Sequence, residues 1–561
     1  MNIELEKKIQ KRLRGIYGDS IKEEKALAEI KGKLSQYHAE TKPYKRTFSE
    51  KDCILITYGD SIVDEKNSPL KVLRKFLDRF VQDAINTVHI LPMYPYTSDD
   101  GFSVTDYRKI STKLGDWKDI EKLAVSYHLM FDAVINHVSK ASDWFKGYLE
   151  HKEPYKEFFI TSDPNADYSK VIRPRTSPLL TAFDTARGQK YVWTTFSEDQ
   201  IDLNYQSTKL LAEIIDILLL YAQKGASYIR LDAIGFMWKE IGTNCMHLKQ
   251  THEIIKLFKD IFRVYAPGTK IVTETNVPHE DNVNYFGEGG DEADMVYQFP
   301  LPPLTLYTLL TGNAEILSDW LEGLTVPDKQ VTFFNFLSSH DGIGIRPTEG
   351  ILTDDQRQIL VNSTLKNGGA VSYKDNGDGT RSPYELNINY QDALAGPDES
   401  DAERMKKFLA AETILLSLQG IPGIYIHSLL GSRNDYYGKS ISGIARRINR
   451  EKLDYGYIAE QLEKETNRKI IFKELIRRLK IRQKESAFSP LAGQEVVRIC
   501  PQVLGLKRNN VKTGEQIYVL VNVSGEAIDI ENSELYGIEL ISEKSVEGKI
   551  QLEPWDCAWI R

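Results

Sequence analysis

Residues 226–236, Ala-Ser-Tyr-Ile-Arg-Leu-Asp-Ala-Ile-Gly-Phe, form a short apolar run that ends on an aspartate. The run predicts a buried strand over residues 228–231, and Gly235 predicts the turn that follows. Because side chains alternate along a strand, Arg230 and Asp232 lie on the same side. Burial of both charges is costly unless they form an ion pair or face a polar cavity. The stretch therefore predicts either a structural ion pair or part of a reactive site.

Similar apolar runs recur from residue 54 onward, and helix-like segments such as residues 70–81 and 210–223 separate several of them. Eight strands that alternate with helices predict an α/β protein with a (β/α)8 barrel. The predicted strands are residues 54–56, 88–91, 129–131, 228–231, 270–273, 295–297, 331–337 and 424–426.

The 561-residue chain is longer than one average domain, which predicts a large domain with additions. Residues 1–50 predict a helical extension, because Ile3, Leu5, Ile9 and Leu13, and then Ala26, Leu27, Ile30 and Leu34, follow helical spacing. The barrel is expected over residues 51–490, with insertions at 138–200 after the third strand and at 341–400 after the seventh. Short β-rich runs predict a C-terminal β-domain at 491–561.

Charge and composition exclude several classes of protein. A net charge of −8 argues against a nucleic-acid partner. The four cysteines are scattered without a CxxC pair, so neither a disulfide framework nor a zinc site is expected. The charged N-terminus does not resemble a signal peptide, and no apolar run is long enough for a membrane span. We therefore expect a cytoplasmic protein without a membrane partner.

Polar side chains follow four of the predicted strands. They are the DxxxNH run at residues 132–137, the RxD run at 230–232, Glu274, and the pair His340–Asp341. The carboxyl ends of barrel strands meet at one face, which is where barrel active sites form. Four such sets favour an active site over isolated polar groups in the core.

These four segments resemble the conserved regions of the α-amylase superfamily of retaining α-glycoside enzymes. The resemblance implies that Asp232 is the nucleophile, Glu274 the general acid/base, and Asp341 the carboxylate that holds sugar hydroxyls. It also implies that the reacting glucose is bound by His137, Arg230 and His340. Ser227 departs from the glycine that is usual before the RxD motif.

A retaining mechanism requires the same arrangement on chemical grounds. One carboxylate attacks C1 while a second, protonated carboxyl releases the leaving oxygen, at a separation of roughly 5–6 Å. Arg230 is expected to lower the pKa of Asp232 and keep it ionised. Glu274, among like charges, is expected to have a raised pKa and to carry the proton.

Within the superfamily, residues 98–107 resemble the corresponding loop of the sucrose phosphorylases, and residues 172–175, 192–196 and 446–450 resemble further segments of the same enzymes. That resemblance implies a glucose clasp at Asp99, aromatic walls at Phe102 and Phe196, a glucose-binding arginine at Arg450, and a phosphate-binding arginine at Arg175. An arginine fork suits a phosphate dianion, although a surface ion pair is the alternative for Arg175. The loop around Tyr384 resembles the segment that lines the acceptor site.

The acceptor side departs from sucrose phosphorylase at Ile172, Phe236 and Asn276. The overall pattern is more similar to the glucosylglycerate phosphorylases, through the N-terminal helical extension, the stretches at residues 236–240 and 271–279, and the greater length of the chain. The resemblance implies transfer of glucose from α-glucosylglycerate to phosphate. Alternatives are phosphorolysis of sucrose 6′-phosphate or sucrose, a hydrolase or transglucosidase, and a catalytically silent binding subunit. A basic residue should bind the glycerate carboxylate, and the candidates are Lys374, Arg381 and Arg433, while Glu385 needs a cation beside it.

The expected substrates are a sugar and phosphate, with no organic cofactor and no metal. Residues 375–379, Asp-Asn-Gly-Asp-Gly, are interpreted as a turn, because the spacing of a calcium-binding EF-hand loop is missing. Related phosphorylases are often dimers, so the resemblance also implies a homodimer.

Overall fold

The computed structural model describes residues 1–40, 47–175, 177–328, 330–375 and 380–561, and residue 375 for its backbone alone. The Asp-Asn-Gly-Asp-Gly turn expected at residues 375–379 therefore lies almost wholly outside the described residues. No helix within the described ranges is both long enough and apolar enough to cross a bilayer.

Eight parallel strands close into a barrel in which neighbours in sequence are neighbours in space. This arrangement confirms the predicted (β/α)8 fold. The strands are β1 (Ile54–Thr57), β2 (Thr87–Ile90), β3 (His128–Ala133), β4 (Ala226–Leu231), β5 (Lys270–Thr273), β6 (Met295–Tyr297), β7 (Thr332–Phe336) and β8 (Ile421–Tyr425).

Strand β8 begins at Ile421, earlier than the residue 424 expected from the sequence. Pro422 and Gly423 concealed its start, because both residues usually argue against a strand interior. Gly423 is required here by packing: a Cβ at this position would lie 2.5 Å from the Phe334 ring.

Helices surround the barrel and fill its loops. The longer ones are Pro69–Phe76, Trp117–Ala124, Thr208–Gln223, Lys249–Tyr265, Leu301–Thr311, Glu315–Glu322, Asp354–Lys366, Asp401–Ser417, Tyr455–Glu463 and Asn467–Arg482. The shorter ones are Asp143–Leu149, His279–Val283, Tyr390–Leu394, Ile426–Leu429 and Tyr436–Ser442.

Two long excursions rise above the carboxyl ends of the strands. The first follows β3 and contains the antiparallel pairs His137–Ser139 with Gln200–Asp202 and Leu180–Thr185 with Gly188–Trp193. The second follows β7 and contains a three-stranded sheet of Ile343–Gly344, Arg381–Asn387 and Ala370–Asp375, in that spatial order.

The N-terminal residues form two helices, α1 (Ile3–Tyr17) and α2 (Ser20–Leu34), as their apolar spacing predicted. Their buried faces pack on Lys249–Tyr265 and Thr208–Gln223, the helices on either side of β4. Arg12 at this contact bonds Asp260 at 2.9 Å. The extension therefore supports the part of the barrel that carries Arg230.

The C-terminal residues form a six-stranded antiparallel sheet, as predicted. Its strands are Gly493–Val496, Val503–Asn510, Glu515–Asn522, Ile528–Glu539, Lys544–Leu552 and Cys557–Ile560. The indole of Trp559 donates to Ser417 Oγ at 2.8 Å across the contact with the barrel.

Arg508 is a buried charged group at this contact. Its guanidinium donates to the carbonyl oxygens of Gly493, Ser417, Ser489 and Ala492, and burial lowers its pKa to about 9. A buried donor network of this kind stabilises the fold mainly because its loss leaves carbonyls unsatisfied.

We expect Arg508→Met to lower the free energy of unfolding by about 3 kcal/mol, because several buried carbonyls lose their donor. Arg498→Met is the matched control, since Arg498 forms only exposed ion pairs with Asp319 and Glu322. Urea unfolding followed by tryptophan fluorescence measures both. An equal midpoint for the two variants would contradict this role of Arg508.

Candidate active site

A pocket opens where the carboxyl ends of the barrel strands meet the two excursions. The residues predicted from the sequence that line it are Asp99, Phe102, His137, Arg175, Phe196, Asp232, Glu274, Asn276, His340, Asp341 and Tyr384. The other two predicted residues, Arg230 and Arg450, are buried next to its carboxylates. One cavity thus brings together residues that are far apart in the sequence.

A single guanidinium connects three carboxylates at the base of the pocket. Arg230 Nη1 donates to Asp232 Oδ1 at 2.7 Å and to Asp132 Oδ1. Arg230 Nη2 lies 3.8 Å from Glu274 Oε2. The same Glu274 oxygen accepts a hydrogen bond from Ala233 N at 2.8 Å. Asp232 and Glu274 are therefore adjacent and share one cation.

Backbone hydrogen bonds continue past the ends of β3, β4 and β5 and fix these side chains. Asp232 N donates to Ala133 O at 3.1 Å, and Glu274 N donates to Leu231 O at 3.2 Å. Both carboxylates therefore sit on the rigid rim of the barrel, which is what a precisely positioned reactive pair requires.

Burial dominates the ionisation of this pair. It raises the pKa of Asp232 well above its usual range, against the lowering effect of Arg230, and the charge of Glu274 raises it further. Burial also raises the pKa of Glu274, as the sequence predicted. Arg230 lowers the pKa of Asp232, as expected from the sequence, but burial beside a second carboxylate outweighs this effect, so the net shift is upward and not downward. The two carboxyls titrate as one unit.

Asp341 behaves in the opposite way. Arg446 Nη1 lies 2.6 Å from its Oδ1, and Arg450 Nη2 lies 3.9 Å from the same oxygen. His340 Nε2 lies 3.6 Å from Oδ2. Burial alone would raise the pKa of Asp341, but the positive charges of Arg446 and Arg450 hold it well below its usual range. Asp341 is therefore ionised whenever the other two carboxyls titrate.

Aromatic rings form the walls around the carboxylates. Phe102 and His340 stack with ring centroids 4.8 Å apart, and the ring centroids of His137 and Phe196 are 5.2 Å apart. Burial lowers the pKa of His340 to about 3, so this imidazole is neutral. His137 Nε2 lies 2.8 Å from Phe102 O, which links the loop after β2 to the loop after β3.

The loop that carries Asp99 is held in an unusual backbone conformation. Asp99 and Asp100 have φ angles of +52° and +49°, in the left-handed region. Arg450 Nη1 donates to Asp100 Oδ2 at 2.7 Å, and Gln200 Nε2 donates to Asp99 Oδ2 at 3.4 Å. These bonds keep the Asp99 carboxylate at the edge of the pocket, and the strain is of a kind that concentrates at functional sites.

The opposite side of the pocket combines an apolar surface with arginines. Ile172, Phe236 and Phe196 belong to one apolar cluster there. Arg175 and Arg346 line the pocket, and neither has an ion-pair partner among the described residues. A cation that faces a cavity without a carboxylate beside it is suited to bind an anionic ligand.

Comparison with known proteins gives one family. The sequence profile described as α-amylase, catalytic domain, matches residues 77–343. A glucosylglycerate phosphorylase of Escherichia coli (strain K12) is 46% identical over 93% of this chain and 94% of its own length. One from Allomeiothermus silvanus is 47% identical over 91% of each chain. The chain belongs to the glucosylglycerate phosphorylase family.

The fold agrees with this family. The crystal structure of sucrose 6F-phosphate phosphorylase from Thermoanaerobacter thermosaccharolyticum superimposes with a TM-score of 0.76 at 25% identity, over 92% of this chain and all of that one. Sucrose phosphorylases are more distant relatives, at about 31% identity. The family resemblance drawn from the sequence motifs is confirmed.

The cations proposed from the sequence for the acceptor carboxylate are placed elsewhere by the structure. Lys374 lies 3.3 Å from Glu349, Arg433 Nε bonds Asp392 at 2.5 Å, and none of Lys374, Arg381 and Arg433 lines the pocket. The structure therefore gives no support to any of these three as the acceptor cation. Among the described residues, the arginines that line the pocket are Arg175, Arg346 and Arg446.

Arg446 is the cation that the sequence required beside Glu385. Arg446 Nε and Nη2 donate to the two Glu385 oxygens at 2.9 and 2.6 Å, while Nη1 faces Asp341. Arg446, Arg346 and Gln200 were not predicted from the sequence. Arg446 stands four residues before Arg450 in a run of arginines, and the sequence contains no signal that distinguishes their contacts.

We expect Arg446→Met to raise the pKa of Asp341, because burial is then opposed by fewer positive charges. The depressed pKa keeps Asp341 ionised in the wild type, so activity in the variant should fall most at acidic pH and recover partly as the pH rises. The measurement is kcat/KM between pH 5 and 9. Arg447→Met is the control, since Arg447 pairs with Asp100 and not with Asp341. A loss that does not change with pH would contradict the electrostatic role.

Proposed function

We propose that this protein is a retaining glucosylglycerate phosphorylase. It transfers glucose reversibly from 2-O-α-glucosylglycerate to phosphate and so produces α-glucose 1-phosphate and glycerate. Family membership at 46% identity over nearly the whole chain supports the substrate class. The cytoplasmic location and the homodimer expected from the sequence stay predictions.

The proposal rests on one observation: two adjacent carboxyl groups and an arginine without a carboxylate partner line the same pocket. Asp232 and Glu274 share Arg230 at the base, and Arg175 lines the same cavity without a carboxylate partner among the described residues. Two carboxyls without an anion site would be sufficient for a hydrolase. The additional cation gives phosphate a binding site and makes it the preferred attacking group.

In the first half of the reaction, the Asp232 carboxylate attacks C1 of the glucosyl group. The bond from C1 to the glycerate oxygen breaks, and Glu274 donates its proton to that oxygen. The direct 2.7 Å bond from Arg230 favours the negative charge on Asp232. The proton of the coupled pair is therefore favoured on Glu274, which lies farther from that cation. The product is glycerate and a covalent glucosyl ester of Asp232.

In the second half, phosphate replaces glycerate. A phosphate oxygen attacks C1 from the side that glycerate left, the ester bond to Asp232 breaks, and Glu274 takes up the proton that phosphate loses. Two inversions at C1 give net retention of configuration. Arg175 holds the phosphate through charge-assisted hydrogen bonds.

We assign the remaining predicted residues to the glucosyl ring, to the groups behind the pocket lining and to the acceptor. We assign the ionised Asp341 to the ring hydroxyls, together with His137 and His340, and Asp99 to the far end of the pocket. Phe102 and Phe196 form apolar walls that exclude water. Arg450 and Arg230 act on the carboxylates and loops behind the lining, and Tyr384 and Asn276 face the acceptor.

The proposal is tested most simply in the synthetic direction. Purified protein receives α-glucose 1-phosphate with glycerate, fructose 6-phosphate, fructose, glycerol or water, and phosphate release is followed. We expect fast phosphate release with glycerate and slow release with each of the other acceptors. Faster phosphate release with fructose 6-phosphate would show that glycerate is not the preferred acceptor. Equally fast release without any added acceptor would show that the protein is a hydrolase.

We expect Asp232→Ala and Glu274→Gln each to lower kcat by about ten-thousand-fold, because each removes one member of a covalent mechanism. Glu274→Gln should recover most of its first half-reaction with α-glucosyl fluoride, since fluoride leaves without a proton. Asp232→Ala should not recover with this substrate. Near-normal turnover of glucosylglycerate by either variant would refute the assignment.

The pH dependence follows from the raised pKa values. The active form of the pair holds one proton. As pH falls, Asp232 gains a proton and activity is lost; as pH rises, Glu274 loses its proton and activity is lost again. Burial raises both pKa values, so both limbs of kcat/KM for glucosylglycerate should lie above the usual range of about 4 for carboxyls. The basic limb should disappear when Glu274→Gln is assayed with α-glucosyl fluoride. Its persistence would contradict Glu274 as the acid.

A further inference from the structure

Arg346 is a half-buried arginine on the acceptor side of the pocket. It lines the cavity, and its guanidinium has no ion-pair or hydrogen-bond partner among the described residues. Its Nε is fully buried and unpaired. Burial of an unpaired guanidinium donor is costly, and such a group indicates a partner that binds there. Nothing in the catalytic steps described above uses this residue.

A rigid sheet positions Arg346. Gly344 pairs with Glu385, and Ile345 N donates to Tyr384 O at 3.0 Å. Arg346 follows directly, at the start of the turn Arg346–Thr348. Arg446 holds the neighbouring strand through its two bonds to Glu385. Arg346 is thus fixed beside Tyr384 by main-chain contacts, as a specificity residue requires.

Asn276 supplies a complementary group nearby. Its Oδ1 is buried, faces no donor, and belongs to the pocket lining. Asn276 packs against Gly344, where a Cβ would lie 3.1 Å from both Asn276 Oδ1 and Nδ2. The pocket therefore contains an unpaired cationic donor and an unpaired acceptor on adjoining segments. A molecule with a carboxylate and a hydroxyl matches both.

The other arginines in the lining are committed elsewhere. Arg446 is saturated by Asp341 and Glu385. Arg175 lies on the excursion after β3 and is assigned to phosphate. Both Arg175 and Arg346 act on Tyr384, where they oppose the effect of burial, which raises the pKa of this phenol. Tyr384 stays neutral and lies within the influence of both cations.

We propose that Arg346 binds the carboxylate of the acceptor and that Asn276 Oδ1 accepts a hydrogen bond from one of its hydroxyls, so that the pocket selects a small hydroxy acid over a neutral polyol. This inference rests on the proposed phosphorylase function and adds the residue that determines the acceptor. Arg346 serves the acceptor and Arg175 serves the phosphate.

The test compares Arg346→Gln with Arg175→Gln. In a double-displacement reaction at saturating α-glucose 1-phosphate, kcat/KM for an acceptor depends only on the second half-reaction. Wild type should prefer glycerate to glycerol strongly. Arg346→Gln should lower kcat/KM for glycerate by about 100-fold and leave that for glycerol nearly unchanged, because only the charge-assisted bond is lost. Arg346→Lys should recover part of the preference.

A second assay replaces glycerate with arsenate as the group that attacks the glucosyl enzyme. It measures whether each variant is folded and active in a reaction that does not use glycerate. Arg346→Gln should keep kcat/KM for arsenate within about threefold of wild type, whereas Arg175→Gln should lower it strongly. An unchanged glycerate-to-glycerol ratio in Arg346→Gln, or an equal loss with glycerate and arsenate, would overturn the role of Arg346. A wild type without preference for glycerate would instead refute the proposed function itself.

Discussion

The ion pairs of the buried Arg230 are the interaction on which the site depends. One guanidinium, enclosed between the rings of Phe102 and Tyr297, meets Asp132 and Asp232 and approaches Glu274. His89 Nε2 holds the far side of Asp132 at 2.8 Å. Removal of one partner from such a cluster leaves an uncompensated buried charge, which costs several kcal/mol. The barrel rim, the N-terminal helices behind β4 and the aromatic walls all serve to keep this cluster in place.

Much of the fold and of the catalytic centre could be predicted from the sequence, because the residues of this cluster stand at the ends of apolar runs. Parallel strands buried on both faces give apolar runs, and charged residues at their ends are visible because they interrupt those runs. Asp132, Arg230, Asp232, Glu274 and His340 all stand at such an interruption. Where the local signal failed, as at Pro422 and Gly423 in β8, the strand exists because its neighbours impose it. Tertiary pairing overrode local preference.

The acceptor side could not be predicted in the same way, because its contacts join segments far apart in the chain. Arg346 acquires its position from the pairing of Gly344 with Glu385, and Arg446 binds both Asp341, shortly after β7, and Glu385, on the strand Arg381–Asn387. The sequence shows several cations of equal plausibility, and only the three-dimensional arrangement separates those with carboxylate partners from those that face the pocket. The same holds for the pKa of Asp232, because burial beside Glu274 outweighs the lowering effect of the nearby Arg230.

The central claim is that Asp232 forms a covalent bond to glucose. The most direct measurement is mass spectrometry of peptides from Glu274→Gln protein quenched during turnover of α-glucosyl fluoride, under conditions where the second half-reaction is slow. We expect a glucosyl ester on the peptide that contains Asp232. The ester should disappear when phosphate is added in excess, and α-glucose 1-phosphate should form. An adduct on another residue, or product of inverted configuration without any adduct, would contradict it.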